Sequence, residues 1–87
     1  MAVYKVLLKA SAAKEIDSLP NNHERQRIVE RIQALSANPR PPGCDKLAVH
    51  QNRYRVRQGR YRILYEIHDH ELVVTVVRVA DRKEVYR

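Results

Sequence analysis

Arg53-Tyr54-Arg55-Val56-Arg57-Gln58-Gly59-Arg60-Tyr61-Arg62 places five arginines within ten residues. In an extended chain successive side chains alternate faces, so Arg53, Arg55 and Arg57 point one way and Tyr54 and Val56 the other. Gln58-Gly59 has the form of a two-residue hairpin loop. That loop would set Arg57 against Arg60, and Arg55 against Arg62, on two antiparallel strands. Directly opposed like charges destabilise a sheet. A chain that keeps them is expected to have a polyanion to place there.

Working outward, Tyr61 to His68 and Glu71 to Val79 continue the pattern as strand, turn, strand. The last segment contains Leu72, Val73, Val74, Val76, Val77 and Val79, an almost unbroken apolar run expected of an interior strand. Upstream, Val3 to Lys9 alternates, with Tyr4, Val6 and Leu8 on one face and Lys5 and Lys9 on the other. Ser11 is placed to cap a short helix whose apolar side is Ala12, Ile16 and Leu19. Pro20 ends it, and Asn21 or Asn22 caps a second helix with the stripe Ile28, Ile32, Leu35. Asn38-Pro39-Arg40-Pro41-Pro42-Gly43 opens a loop that runs to about Asn52, with some extension around Leu47 to Val49. The expected fold is α+β in the order β-α-α-β-β-β, with a helical hairpin on one face of a small, mainly antiparallel sheet. The helices must cover the face carrying Tyr4, Val6, Leu8, Val56 and Ile63, which leaves the opposite face to the arginines.

The chain has 87 residues, a formal net charge of +7 and a pI near 10.0. That length suits a single domain spanning 1–87 with one modest core. The charge suits nucleic acid, an anionic membrane surface or an acidic protein, without choosing among them. No apolar run approaches membrane-spanning length, and Lys5 and Lys9 interrupt what would be the apolar part of a signal peptide. Cys44 is the single cysteine, so an internal disulfide and a cysteine-built zinc site are excluded. A cytoplasmic setting without cofactor or metal fits.

Each chemical feature has a plainer counterpart. An arginine-rich strand is commonly a solvated face; the clustering in one hairpin favours phosphate binding. Tyr54, Tyr61 and Tyr65 read as core or hairpin packing. Arg78 reads as a cation reaching out from the edge of the core. His68-Asp69-His70 reads as a polar turn and not as a metal site, having no third ligand. His23 belongs to a helix start, and Cys44 to a proline-rich loop without a charge partner.

Taken together, Tyr54-Arg55-Val56-Arg57-Gln58-Gly59-Arg60-Tyr61-Arg62-Ile63-Leu64-Tyr65-Glu66-Ile67 resembles the signature hairpin of the RelE/ParE toxin superfamily. Val77-Arg78-Val79-Ala80-Asp81-Arg82-Lys83-Glu84-Val85-Tyr86-Arg87 resembles its C-terminal pattern. The likeness spans essentially the whole chain. For RelE-type members it implies a toxin of a type II toxin–antitoxin system, a metal-independent, ribosome-dependent endoribonuclease that cuts mRNA in the A site. The basic catalytic positions then match Arg55, Arg57, Arg62 and Arg82, and the tyrosine that stacks on an mRNA base matches Tyr86. Arg53, Arg60 and Lys83 would add phosphate contacts. The implied partners are a RelB-like antitoxin, the ribosome and mRNA, and promoter DNA reached through the antitoxin complex; no membrane is implied.

Two departures bear on the chemistry. Some members have lysines where this chain has Arg55 and Arg57, and many have histidine where it has Asp81. Arginine stays protonated and is a poor proton acceptor, which leaves Tyr86, Glu84, Asp81 and His50 as candidates for proton transfer. Two other functions share the pattern. A ParE-type toxin has the same fold, inhibits gyrase and has no nuclease site; a non-catalytic RNA-binding module would bind with steep salt dependence and no cleavage.

Overall fold

The computed structural model describes residues 3–47 and 52–81. Among these, β1 (Lys5–Leu8) is followed by α1 (Ala10–Asp17) and α2 (Asn22–Ala34). Then come β2 (Asp45–Lys46), β3 (Arg53–Gln58), β4 (Tyr61–His68) and β5 (Val73–Asp81). The strands form one sheet in the order β1-β5-β4-β3-β2. β1 runs parallel to β5, and the other pairs are antiparallel. The α+β class and the helical hairpin are as the sequence indicates, with one addition: β2, two residues long, inside the expected loop.

The core lies between the helices and one face of the sheet. Ala12, Ile16, Leu19, Ile28, Ile32 and Leu35 come from the helical side. Tyr54, Val56, Tyr61, Ile63, Tyr65, Ile67, Val74, Val76 and Val79 come from β3, β4 and β5. Their positions repeat the period of two in the strands and the three-to-four spacing in the helices. Leu8 departs from expectation: it is 47% exposed, at the end of a four-residue strand on the edge of the sheet. The helix start also differs. Lys9 occupies the N-cap of α1 without a side-chain bond, and Ser11 Oγ instead donates to Val77 O at 3.1 Å. Asn21 does cap α2, accepting from Glu24 N at 3.0 Å.

α1 packs along β5 and finishes its edge. β1 pairs only with Val73 to Val76, so among the described residues the far half of β5 has no strand on that side. There Glu15 Oε1 accepts the Val79 N–H at 2.8 Å and Glu15 Oε2 takes Arg78 Nε at 2.9 Å. Arg78 is thus half of an ion pair across the sheet margin. A register shift at Leu64/Tyr65 leaves Val77 as the extra residue of a bulge, which turns its carbonyl toward Ser11.

The proline loop is fastened to one end of the sheet. The buried Tyr65 hydroxyl donates to Pro39 O at 2.7 Å, and burial pushes its pKa up. Arg40 forks onto Asp69 in the β4–β5 turn at 2.8 and 3.3 Å, lies over the Tyr54 ring and donates to the Tyr54 hydroxyl. Tyr4 donates to the same Asp69 carboxylate at 2.6 Å. Pro41-Pro42-Gly43-Cys44 then makes a tight turn, with Cys44 N donating to Pro41 O. Proline at the second position and Gly43 at φ +88° match a type II turn. This turn sends β2 back alongside β3.

Asp69 and His70 therefore lie in a polar turn, as expected, while His68 is the last residue of β4; Asp69 is the turn's structural residue. The Arg40 fork, helped by Tyr4, holds the Asp69 carboxyl down at about 2, below an ordinary aspartate at about 3.9. A depressed folded-state pKa gives stability that is present above the ordinary value and lost as pH falls toward the folded one. Asp69→Asn is accordingly expected to lower Tm at pH 7. The gap to the parent protein should close between about pH 4 and pH 2. An acid titration of thermal unfolding for the two proteins measures this; a gap that persists unchanged at pH 2 would exclude the carboxylate as its source.

Candidate nucleic-acid interface

The face of the sheet away from the helices carries the arginines of β3. Arg53, Arg55 and Arg57 alternate with the buried Tyr54 and Val56, so they form a row with about 6.8 Å between neighbours along the strand. The opposed residues on β4 are Glu66, Leu64 and Arg62 respectively. The residue facing each arginine therefore changes along the row. Arg53 meets a carboxylate, Arg55 an aliphatic side chain, and Arg57 another arginine.

This register corrects the hairpin read from the sequence. The loop is Gly59-Arg60, closed by Gln58 opposite Tyr61. Gly59 has φ +60° and Arg60 does not have positive φ, the pattern of a type II′ turn with glycine first. Arg57 therefore faces Arg62, not Arg60, and Arg55 faces Leu64, not Arg62. Arg60 leaves the row altogether. Its guanidinium lies 5.3 Å from the centre of the Tyr61 ring and pairs with Asp81 at 3.0 Å. Tyr61 faces α2, where its hydroxyl reaches Glu24. Arg60 also lines a cleft of about 330 Å³ between the end of α1 and the ends of β4 and β5.

Two carboxylates sit within the row. Glu66 Oε2 binds Arg53 at 2.7 Å, and its Oε1 lies 3.4 Å from His68 Nε2. The Arg53 hydrogen bond, chiefly, keeps the Glu66 carboxyl below its ordinary range. His68 Nδ1 lies 3.3 Å from Asn52 Nδ2. An imidazole that donates from Nε2 and accepts at Nδ1 fits both contacts. Asp45, on β2, binds Arg55 at 3.1 Å. These two acids are what the sequence reading missed. Glu66 was legible, because it lies four residues from Arg62 on the same strand and so on the same face. Asp45 comes from a two-residue strand after a proline loop and leaves no periodic signal.

At the other end Arg57 is exposed, while Arg62 is only 4% exposed, with its Nε and Nη1 atoms enclosed. Ala80 flanks Arg62 on the β5 side. A guanidinium held in this way is preorganised, and its field is less screened than that of a surface arginine. The other sequence-derived candidates (His50, Arg82, Lys83, Glu84 and Tyr86) lie outside the described residues. Among the described residues no group of three or more His, Cys, Asp or Glu is placed to hold a metal. Nor is any helix long and apolar enough to cross a membrane.

Two helices behind a mixed five-stranded sheet, with an arginine row on the side away from the helices, define a RelE-like toxin fold. The family model for the ParE toxin of type II toxin–antitoxin systems, parDE, matches residues 6–86; the chain belongs to that family and is a type II toxin of the RelE/ParE superfamily. Its structure is similar to the toxin–antitoxin complex RelBE2 from Mycobacterium tuberculosis. The identity is 28% and the TM-score 0.78, over 92% of this chain and 99% of that one. It is also similar to the archaeal RelE–RelB complex from Pyrococcus horikoshii OT3, with 26% identity and a TM-score of 0.82 over 98% and 100%. The YoeB/ParE toxin from Agrobacterium tumefaciens is 13% identical with a TM-score of 0.74 over 88% and 96%, which is a likeness of fold alone. No curated protein matches the chain by sequence.

Proposed function

We propose that this toxin is a metal-independent, ribosome-dependent endoribonuclease that cleaves mRNA in the A site and so stops translation. The observation that carries the reading is the Arg57–Arg62 pair, two cations directly opposed on the face of the sheet away from the helices, one of them buried. Cleavage through the 2′-hydroxyl builds a doubly charged phosphorane, and guanidinium forks grip its oxygens two at a time. Arg57 and Arg62 would stabilise that charge, with Arg82 as a third cation. Arg55 would place the adjoining phosphate, and Tyr86 would stack on a base. Arg53 and Lys83 have the weaker role of contacting flanking phosphates; Arg60, turned to the helical side, is not part of this set. The chain offers little for proton transfer, and alignment of the reacting groups by the ribosome would supply much of the acceleration.

The partners in this reading are the ribosome and mRNA in the cytoplasm, and a RelB-like antitoxin, since the similar structures are complexes of that kind. Promoter DNA would be reached through the antitoxin complex. A second reading, gyrase inhibition without nuclease activity, has an observation of its own. Two of the three arginines in the row already hold carboxylates, which reduces the charge open to a phosphate.

Brief expression in cells, with mRNA 5′ ends and gyrase-linked DNA breaks mapped from the same culture, separates the two. Codon-phased mRNA cuts without DNA breaks are expected. DNA breaks with intact mRNA would transfer the assignment to gyrase, and ribosome association without either would leave a binding module.

A further inference from the structure

The two carboxylates in the arginine row are held very differently. Glu66 is deep: its side chain is 21% exposed, it lies 2.7 Å from Arg53, and its second oxygen faces His68. Asp45 is shallow: its side chain is 56% exposed, the distance to Arg55 is 3.1 Å, and it stands on a strand of two residues at the margin of the sheet. Arg55 itself is well covered, at 19% exposure of its side chain. An exposed ion pair is weak and readily exchanged, whereas a guanidinium binds a phosphate by the same fork it offers a carboxylate.

From this contrast we infer that Asp45 is a selectivity-determining residue, its carboxylate standing in for a phosphate on Arg55. The inference rests on the reading of the row as a phosphate track. Arg57 and Arg55 lie about one strand repeat apart, about 6.8 Å, a spacing that matches successive phosphates of an extended single strand. An RNA that engages Arg57 and takes the place of Asp45 on Arg55 must displace that carboxylate. A loosely presented strand gains too little from the second contact to do so. A strand held with adjacent phosphates in register gains both contacts together. Asp45 therefore weakens binding of stray single strands more than binding of a prealigned one. The β2 strand, fastened by the Pro41–Cys44 turn, is the element that delivers it.

The test uses the whole purified toxin and a fluorescent single-stranded RNA oligonucleotide carrying 2′-O-methyl groups, so that binding is read without cleavage. Asp45→Asn is expected to tighten binding about three- to tenfold at moderate salt. It should also steepen the slope of log K against log salt by up to about one. Asp45→Ser guards against a fold-specific effect of asparagine, and thermal unfolding reports on both. In the double variant Asp45→Asn/Arg55→Ala the gain should vanish; Asp17→Asn on α1, an equal change in net charge away from the row, should give much less. If folded Asp45→Asn binds no tighter than the parent, or the gain survives loss of Arg55, the inference falls while the phosphate track stands. If neither protein binds RNA even at low salt, the track itself fails and the inference with it.

Discussion

Arg62→Met should abolish growth arrest and reduce codon-phased mRNA cleavage by about 100- to 1000-fold, the usual effect of losing a preorganised charge at a transition state. The choice of methionine follows from burial. Arg62 is 4% exposed, so alanine would leave a hole as well as remove a charge, and the two effects would be confounded. An unbranched apolar side chain keeps most of the packing. Arg62→Lys is the informative companion. It keeps the charge but offers a point cation in place of a planar fork, and should recover only part of the activity. Cleavage assays in a translating extract, with Tm and antitoxin binding as controls for folding, decide the matter. Full cleavage by a folded Arg62→Met protein would remove the central member of the site. Arg82→Ala is expected to relieve toxicity likewise.

Ile28→Ala is expected to cost about 2–5 kcal/mol of folding stability. Ile28 is 0% exposed, on the stripe of α2 that also carries Ile32 and Leu35. A chain of this size has a total stability of roughly 5–15 kcal/mol, so much of the toxin would unfold at growth temperature. Val29, next in sequence and 36% exposed, serves as the contrast: Val29→Ala should stay within about 0.5 kcal/mol. Urea titration of both variants tests the pair, and equal losses would place the helix the wrong way round on the sheet. Toxicity should fall with Ile28→Ala through abundance alone, without change in the pattern of cuts made by the folded fraction.

The periodic parts of this chain were legible because their periods differ. Tyr54 and Val56 against Arg53, Arg55 and Arg57 can alternate only as a strand, and Ile28, Ile32 and Leu35 only as a helix. What escaped was set by single residues and by distant contacts. Gln58-Gly59 and Gly59-Arg60 are both plausible loops; the type II′ form puts glycine first, slides the loop by one residue and takes Arg60 out of the row. That slide changes which arginines oppose each other and leaves Arg62 on the same face. Ser11 looked like a cap because serine commonly is one; the bulge at Val77 offered it a carbonyl instead. Asp45 was out of reach, since its partner is ten residues away across a strand too short to show alternation.

The glutamate that closes the margin of β5 has a consequence for assembly. Strand addition needs a line of vacant backbone donors and acceptors, and Glu15 has already claimed the Val79 amide, as Ser11 has the Val77 carbonyl. An invading segment at that margin would first have to evict a carboxylate anchored by Arg78. Recruitment of a foreign strand to this side of the sheet is thereby directed to β1, and there Ser36 already holds both the N–H and the carbonyl of Tyr4.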